Sequence, residues 1–307
     1  MKWKKLGNIF KVNKNFGWMY SHASVPIAEN LKNDKFKIYF STRNINNESS
    51  IGYVIIDLKY PDKILEISDK PILTKGKPGT FDDSGVMGSC ILNDGEKKYM
   101  YYIGWNLGIT VPFRNAIGIA LSEDGGKTFR KMFKGPILDR IKSEPYFTAS
   151  SCVIKEDGIF KMWYLSCTDW VKINNKIVHK YHIKYAESHN GIDWNRKGIV
   201  AIDYKDEYEY AISVPRVIKE NGKYKMWFSS RGSKHTPTYR IRYAESEDGI
   251  NWIRKDEEVG IDVSKEGWDS EMICYPFIFD HKGKRYMLYN GNGYGKTGFG
   301  LAVLEQD

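Results

Sequence analysis

The chain has 307 residues, of which 41% are hydrophobic, 14% aromatic and 28% charged. This apolar fraction is typical of globular proteins and excludes disordered and fibrous classes, and no apolar run reaches the roughly 18 residues of a membrane helix. Lys and Arg exceed Asp and Glu by 47 to 38, which gives a net charge of +9. The lysines are spread evenly, so the charge favours compositional drift over nucleic-acid binding and leaves an anionic sugar as a candidate partner.

The N-terminal segment, residues 1–14, contains lysines but no apolar core of a secretory signal, which predicts a cytoplasmic protein. Four cysteines are too scattered for a disulfide framework and form no CxxC pair, so we interpret them as buried thiols. The chain has no GxxxxGK[ST] loop, no GxGxxG between a strand and a helix, and no GxSxG elbow. We therefore expect no cofactor and no metal.

The predicted elements, in chain order, are strands of a repeated unit. An apolar pair, an acidic turn and an aromatic-rich strand recur five times, and the turn acids are spaced by 65, 62, 64 and 60 residues. These acids are Glu29, Asp94, Glu156, Glu220 and Asp280. A second motif, Tyr-Ala-x-Ser followed by Asp-Gly or Asn-Gly and a tryptophan, occupies residues 185–194 and 243–252, with a weaker copy at 119–129. Asn-Gly and Asp-Gly tolerate positive φ, so each copy predicts a β-hairpin.

Five copies of a four-stranded unit of about 60 residues predict an all-β, five-bladed β-propeller with antiparallel blades. The whole chain is then one domain, with blades near 17–68, 69–134, 135–200, 201–258 and 259–307. The last copy lacks its fourth strand, and Trp3-Lys-Lys-Leu-Gly matches the segments that begin at Trp194 and Trp252. We expect residues 1–10 to close the ring as that missing strand, which hides the sheet edges.

One mouth of this ring is expected to carry the functional site. The first strand of each blade begins, and the second ends, at the same mouth because the two are antiparallel. The loops there differ from copy to copy, whereas the opposite mouth has repetitive acidic turns, which we interpret as solvated. Function concentrates on variable loops over a regular scaffold.

Carboxylates, aromatic rings and arginines make the variable mouth a candidate carbohydrate site. Glycoside cleavage needs one protonated and one ionised carboxyl group across the bond, so we predict catalysis by Asp83 with either Glu209 or Glu271, and His22 as a further acid/base or ion ligand. The predicted substrate-binding residues offer flat apolar faces, hydroxyl acceptors and cationic forks for a carboxylate or phosphate. They are Trp18, Arg43, Asp82, Trp105, Glu144, Arg231, His235 and Asp269. Core packing for the tryptophans and solvated loops for the acids are the structural alternatives.

The repeated motifs resemble those of the five-bladed propeller glycosidases of families 32, 43 and 68 and the mannoside phosphorylases of family 130. Residues 290–302 are similar to uncharacterised glycosidase-like proteins that accompany bacterial surface-polysaccharide genes. The resemblance implies a carbohydrate-active enzyme with carboxylates at the starts of the first strands. Here the sequence departs from family 43, because Ser24 and Ser213 occupy the places of its carboxylates.

The expected function is therefore action on a glycosidic or sugar-nucleotide bond, by hydrolysis, phosphorolysis or transfer, in bacterial surface-polysaccharide metabolism. The alternative is a sugar-binding or scaffolding propeller that has lost the carboxylates, and a nucleic-acid or protein-interaction propeller is the third option. Two carboxyl groups facing each other over a pocket favour the first, and a mouth of aromatics and amides favours the second. A continuous basic face favours the third. The expected ligand is a carbohydrate or sugar nucleotide, with no membrane partner, and the oligomeric state stays open.

Overall fold

The computed structural model describes residues 1–14, 16–173, 175–232 and 236–305. Strands make up nearly all of the regular structure, beside a 3-10 turn at Asp256–Glu258 and a helical turn at Asn292–Gly295. The all-β prediction is confirmed. No helix among the described residues is long and apolar enough to cross a membrane.

The described residues form twenty strands, which are numbered here in chain order. They are β1 (Trp3–Phe10), β2 (Ser21–Lys32), β3 (Lys35–Arg43), β4 (Ser49–Asp57), β5 (Tyr60–Ile67), β6 (Gly85–Asp94), β7 (Lys97–Leu107), β8 (Phe113–Ser122), β9 (Arg130–Lys131), β10 (Thr148–Glu156), β11 (Ile159–Ile173), β12 (Lys176–Ser188), β13 (Val200–Ile202), β14 (Ala211–Glu220), β15 (Lys223–Arg231), β16 (Arg240–Ser246), β17 (Ile253–Arg254), β18 (Cys274–His281), β19 (Lys284–Asn290) and β20 (Phe299–Leu304).

Consecutive strands pair antiparallel in groups of four. We call β2–β5 unit 1, β6–β9 unit 2, β10–β13 unit 3 and β14–β17 unit 4. Unit 5 consists of β18, β19 and β20 with β1, which pairs antiparallel with β20 so that Trp3 lies opposite Leu304 and Phe10 opposite Phe299. The first strand of the chain is thus the outer strand of unit 5, and the indole Nε1 of the buried Trp3 donates to the carbonyl of Val259 at 3.0 Å.

Neighbouring units are joined along their innermost strands. Each of β2, β6, β10 and β14 packs against the innermost strand of the next unit, and β18 packs against β2. Backbone N–H groups also donate to side chains of the preceding unit, from Val214 to Ser150 Oγ at 3.0 Å and from Val25 to Asn290 Oδ1 at 2.8 Å. The described strands form three hydrogen-bonded sheets, none closed on itself. The number of blades, their boundaries and the closure of the ring stay predictions.

Aromatic side chains of the second strands fill the space between units. Trp163 of β11 is fully buried, and its Nε1 donates to the carbonyl of Gly249 in the Asp-Gly turn of unit 4 at 2.8 Å. Gly249 has φ +78°, and a Cβ there would lie 3.1 Å from the Trp163 ring. The repeated Asp-Gly turn therefore serves both as a hairpin turn and as a close-packed cover for the neighbouring tryptophan.

Three of the acidic turns carry ion pairs to the next unit and are not simply solvated, which corrects the sequence interpretation. Glu29 accepts from Lys98 of unit 2, Glu156 from Lys219 of unit 4, and Glu220 from Arg285 of unit 5 at 2.7 Å. The turn at the end of each of these inner strands lies against the next unit, so its carboxylate reaches a base there. These ion pairs hold adjacent units together, whereas Asp94 is exposed as expected.

Candidate functional site

A cavity of about 300 Å³ lies where several inner strands begin and several second strands end. All five units contribute to its lining, which combines aromatic and aliphatic side chains with two arginines, one histidine and short polar side chains. Its volume is at the lower end of the range for small-molecule sites. The cavity lies at the strand ends that the sequence analysis assigns to one mouth of the predicted ring.

Arg231, at the end of β15, is the principal charge of the cavity. Its Nη1 donates to the hydroxyl of Tyr294, and its Nη2 lies 3.1 Å from Nε2 of His179. Its guanidinium carbon lies 4.7 Å from the ring centroid of Tyr239. Among the described residues, Arg231 forms no ion pair with a carboxylate, since its electrostatic partners are tyrosines, and its buried Nε has no hydrogen-bond partner. A half-buried guanidinium is thus held in place by neutral groups, and its Nε is free to donate a further hydrogen bond.

His179, on β12, is neutral beside this arginine. A guanidinium only donates hydrogen bonds, so Nε2 of His179 must accept. Burial, together with the charge of Arg231, lowers the pKa of His179 to about 4. The ring stacks on Tyr181 with centroids 4.7 Å apart, which fixes its orientation.

Arg43, at the end of β3, brings a second guanidinium to the cavity. Its Nη1 donates to Oδ1 of Asn47 at 3.0 Å, and burial lowers its pKa. His22 lies beside it but is not part of the lining. Burial, followed by the charges of Arg43 and Lys296, lowers the pKa of His22 to about 4. This side of the mouth is therefore cationic, and His22 is neutral near pH 7.

The inner strands carry strained residues at the cavity wall. Val25, Val214 and Tyr275 line the cavity with φ of +52°, +49° and +57°. Positive φ is rare for β-branched residues and costs on the order of 1–3 kcal/mol. Each precedes a proline and lies at an irregularity of the pairing with the second strand. The three bulges place Ser24, Ser213 and Cys274 in equivalent positions.

The cavity lining contains no Asp or Glu among the described residues. Ser24, Ser150 and Ser213 line it instead. Two of these serines stand where the sequence resemblance places glycosidase carboxylates. The lining thus lacks a facing pair of carboxyl groups.

Four of the predicted site acids are buried inside the units, away from the cavity lining. Asp82 accepts from Lys131 at 2.5 Å, Glu209 from Arg254 at 2.6 Å, and Asp269 from Lys5 at 2.7 Å. Each basic partner lies on the outer strand of the same unit, and Glu144 has the corresponding arginine, Arg196, at 3.8 Å. Tyrosine hydroxyls of the second strand donate to three of these acids, from Tyr102, Tyr164 and Tyr289. The prediction that they face the mouth is corrected, because each side chain turns outward to an internal partner.

Asp83 and Glu271 are also absent from the cavity lining. Asp83 is half-buried and accepts from the N–H of Gly79 at 2.9 Å, from Ser84 Oγ at 2.8 Å and from Asn106 Nδ2 at 2.9 Å. Burial acts to raise its pKa, but these hydrogen bonds outweigh burial and lower it. Glu271 is exposed. The predicted catalytic pair therefore does not share this cavity with Trp105.

The remaining predicted residues divide between the cavity and the scaffold. Trp105 lines the cavity, with its ring 4.8 Å from Phe113. Trp18 does not: its Nε1 donates to the carbonyl of Asp69 at 2.9 Å, which is a packing role. His235 lies outside the described residues. The described residues contain no group of three His, Cys, Asp or Glu side chains that could hold a metal ion, and all four cysteines are buried and free.

Sequence reasoning missed His179, Asn115 and Tyr294. Asn115 lies directly opposite Trp105 in the β7–β8 ladder. Pairing the predicted strand of Trp105 with the next strand would therefore have located Asn115. His179 lies on a hairpin that extends beyond the repeat, since β11 has 15 residues and its counterpart β15 has 9.

Comparisons with known proteins place this geometry among glycosidase-like folds. No protein-family model matches the chain. It is 28% identical over 193 residues to a 1,2-beta-oligomannan phosphorylase from Thermoanaerobacter sp. (strain X514), covering 62% of this chain and 59% of that protein.

Solved structures resemble the whole chain at low sequence identity. A glycoside hydrolase superposes with a TM-score of 0.76 at 16% identity, covering 99% of this chain and 92% of its own. A second structure comes from the GH130 family of mannoside phosphorylases, which contains glycoside hydrolases that target beta-1,2 mannosidic linkages in Candida mannan. It superposes with a TM-score of 0.70 at 14% identity, and the match covers 99% of this chain and 93% of the other. A thermostable family-43 glycoside hydrolase superposes with a TM-score of 0.65 at 16% identity, and the match covers 97% of this chain and 94% of the other. These likenesses establish the fold.

Another sequence relationship extends over nearly the whole chain. The chain is 45% identical over 305 residues to the uncharacterized protein Rv1502 of Mycobacterium tuberculosis (strain ATCC 25618 / H37Rv), covering 99% of this chain and 100% of that protein. The chain belongs to the family of that mycobacterial protein, and its fold is that of the glycoside hydrolase propeller-like proteins.

Proposed function

We propose that this protein binds a carbohydrate carrying a negatively charged group, with that group held by Arg231 and Arg43 in the cavity. The observation that carries the proposal is that neither arginine has an acidic partner among the described residues, since the groups that act on their charges are tyrosines. Removing a charge from water is costly unless an opposite charge compensates it. An anionic ligand supplies that charge, and the planar fork of a guanidinium matches a carboxylate or a phosphate.

The rest of the lining supports a sugar as the carrier of this anion. Trp105, Phe113, Tyr239 and Tyr294 present aromatic surface, and serine hydroxyls and Asn115 offer hydrogen bonds. Small-molecule sites commonly combine an apolar wall with a few polar groups that set orientation. The solved relatives of this fold are carbohydrate-active proteins, which supports the same ligand class by analogy.

The reaction we propose is cleavage or transfer at a glycosidic or sugar-nucleotide bond in which an anionic co-substrate takes part. Hydrolysis by two facing carboxylates has no support in the lining. In phosphorolysis, a hydrogen phosphate ion attacks the anomeric carbon, the glycosidic carbon–oxygen bond breaks, and the departing oxygen takes up the proton of the phosphate and leaves as an alcohol. A phosphate held by arginines thus replaces a protein nucleophile. The phosphorylase among the sequence relatives supports this form.

Binding without catalysis is the second candidate. The observation that favours it is the presence of Ser24 and Ser213 at the strained bulges of β2 and β14. A serine there can hydrogen-bond a sugar hydroxyl but cannot serve as the ionised carboxylate that glycoside cleavage uses.

Three further proposals concern the architecture around the cavity, the biological role with its location, and the type of ligand. The five units form one five-bladed ring with the cavity at one mouth, which is supported by the packing of β18 on β2 and by the pairing of β1 with β20. A role in bacterial surface-polysaccharide metabolism and a cytoplasmic location stay predictions of the sequence. A sugar nucleotide as ligand likewise stays a prediction.

Calorimetric titration with glucose 1-phosphate, glucuronic acid and glucose tests the binding proposal. We expect the two anionic sugars to bind and glucose to bind at least about 10-fold more weakly, because charge-assisted hydrogen bonds contribute about 1.5–3 kcal/mol. Arg231→Lys and Arg43→Lys keep the charge but lose the fork, and both should weaken anion binding. Arg114→Lys changes an exposed arginine at the same mouth and should bind as wild type does. Equal affinity in all variants would remove the anion-recognition claim.

Incubation with inorganic phosphate and β-mannosyl oligosaccharides then separates the two candidates. Phosphate-dependent formation of a sugar 1-phosphate that Arg231→Lys abolishes is the expected result for the enzyme. If a ligand binds but no product forms, in the presence or absence of phosphate, only the binding role remains.

A further inference from the structure

One part of the cavity wall is neutral, in contrast to the charged part that carries the arginines. It is formed by Trp105 and Asn115 of unit 2. The two residues are directly paired across β7 and β8, and both side chains line the cavity. This neutral wall has hydrogen-bonding groups that the protein does not use, whereas the arginines supply the charge.

Two buried polar atoms of this wall are unsatisfied within the described parts of the chain. They are Nε1 of Trp105, which only donates, and Oδ1 of Asn115, which only accepts. Asn115 is 5% exposed, so its unpaired oxygen faces the cavity and not the outer surface of the protein. A buried donor or acceptor without a partner is destabilising, and such groups in a native structure call for a ligand or another explanation.

The surroundings of these atoms are apolar. Met87, Ile103, Phe113 and Phe147 line the same cavity. A sugar hydroxyl would satisfy one donor and one acceptor but carries no apolar group to pack on the surface beside them. An acetamido group has one N–H, one carbonyl and one methyl group, so it meets all three features of the wall.

We infer that the ligand is an N-acetylated sugar that also carries an acidic group. Its acetamido N–H donates to Oδ1 of Asn115, its carbonyl accepts from Nε1 of Trp105, and its methyl group packs on the apolar wall. The acidic group lies with the arginines. This inference rests on the proposed anion binding and adds the second recognition element of the same site; the anion is either a phosphate or a carboxylate.

Matched pairs of ligands isolate the acetamido group. N-acetylglucosamine 1-phosphate is compared with glucose 1-phosphate, and N-acetylglucosaminuronic acid with glucuronic acid, by calorimetric titration of the full chain. The two pairs share the acetamido difference and distinguish phosphate from carboxylate as the anion. We expect the N-acetylated member to bind at least about 10-fold more tightly in the pair that carries the preferred anion, since each unpaired group costs about 1–3 kcal/mol.

Variants then assign that preference to the two side chains. Trp105→Phe keeps a ring but removes Nε1, and Asn115→Leu removes the acceptor at similar volume; each should bring the ratio of affinities close to one. Arg231→Lys should weaken both members of a pair and leave their ratio unchanged. Trp194→Phe makes the same indole change outside the cavity and should leave the ratio at its wild-type value.

The outcomes separate the two proposals. If the members of both pairs bind equally, or if the preference survives in Trp105→Phe and Asn115→Leu, the acetamido assignment is wrong and anion binding stands. If none of the four anionic sugars binds the wild-type protein, the anion proposal and the acetamido assignment both fall. Melting temperatures of all variants establish that each is folded, and Trp105→Phe decides the assignment if Asn115→Leu does not fold.

Discussion

Glu209 and Arg254 form a two-pronged ion pair inside unit 4, with Nη1 2.6 Å from Oε2 and Nη2 3.0 Å from Oε1. Arg254 also binds Asp256 at 2.7 Å, so the loop before β14 and the 3-10 turn are held by one guanidinium. Units 2 and 5 repeat the relationship with a lysine on the outer strand. The repetition indicates that these acids fasten each inner strand to the outer edge of its own unit.

Glu209→Gln should therefore destabilise the fold and leave ligand binding intact. The variant leaves Arg254 buried without its full partner, and breaking a buried ion pair costs about 3–5 kcal/mol; the retained amide reduces the loss to about 2–3 kcal/mol. Urea unfolding measures the free energy, and titration with an anionic sugar measures the site. The exposed Glu271→Gln is the matched control, expected within about 0.5 kcal/mol of wild type. Unchanged stability in Glu209→Gln would return Glu209 to the list of candidate functional groups.

Trp3→Ala should destabilise the packing of the N-terminal strand β1 against the rest of unit 5. Trp3 is buried, packs edge-on against Trp227 at 6.5 Å and donates to Val259. Truncating a buried tryptophan costs about 3–5 kcal/mol. Lys4→Ala changes the next, exposed residue of the same strand and should have little effect. Equal melting temperatures for the two variants would mean that β1 contributes little to holding unit 5 together.

The sequence predicts the all-β class and the position of the mouth because both follow from local repetition. Apolar alternation and Asp-Gly turns recur in each unit, and strand direction then determines which residues share an end. Trp105, Arg43 and Arg231 lie at second-strand ends, where this reasoning locates them. The internal ion pairs do not follow from spacing, because Asp269 finds Lys5 at a separation of 264 residues.

Side-chain direction accounts for the other difference between sequence and structure. Asp82, Glu209 and Asp269 lie just before inner strands, but each side chain turns away from the cavity to pair with a basic residue on the outer strand of its own unit. When the basic partner lies in a distant segment of the chain, the sequence around the carboxylate does not reveal the ion pair. The cavity charge is consequently positive, although the loops around the mouth are rich in acids.

The stability of the protein should fall in mild acid through its buried histidines. The pKa of His179 is about 4 in the folded protein, with burial and Arg231 as the causes, against about 6.5 in an unfolded chain. Below pH 6.5 the unfolded state binds the proton first, so stability is fully present above pH 6.5 and declines as the pH falls towards 4. His22 contributes in the same direction.

Urea unfolding at pH 7.5, 6.5, 5.5 and 4.5 checks this dependence. His179→Gln should lose less stability than wild type between pH 6.5 and 4.5, by about 2 kcal/mol. The exposed His189→Gln should follow the wild-type curve. Parallel curves for wild type and His179→Gln would show that Arg231 and burial do not keep the ring neutral.

Asp83→Asn is expected to weaken a loop rather than a reaction. The hydrogen bonds from Gly79, Ser84 and Asn106 hold the Asp83 carboxylate ionised, because together they lower its pKa despite burial. An ionised carboxylate can accept a proton but has none to donate, so we expect Asp83 not to act as a general acid in the resting protein. The amide keeps one oxygen acceptor and loses the charge, so we expect a loss of about 1 kcal/mol in unfolding free energy and anionic-sugar affinity within about 2-fold of wild type. Arg231→Lys, measured alongside, should show the reverse pattern of intact stability and weakened binding. If an activity on a glycosidic substrate is found and Asp83→Asn lowers it by about 10²-fold or more, Asp83 acts as a base at the rim of the site and the cavity arginines serve only to bind.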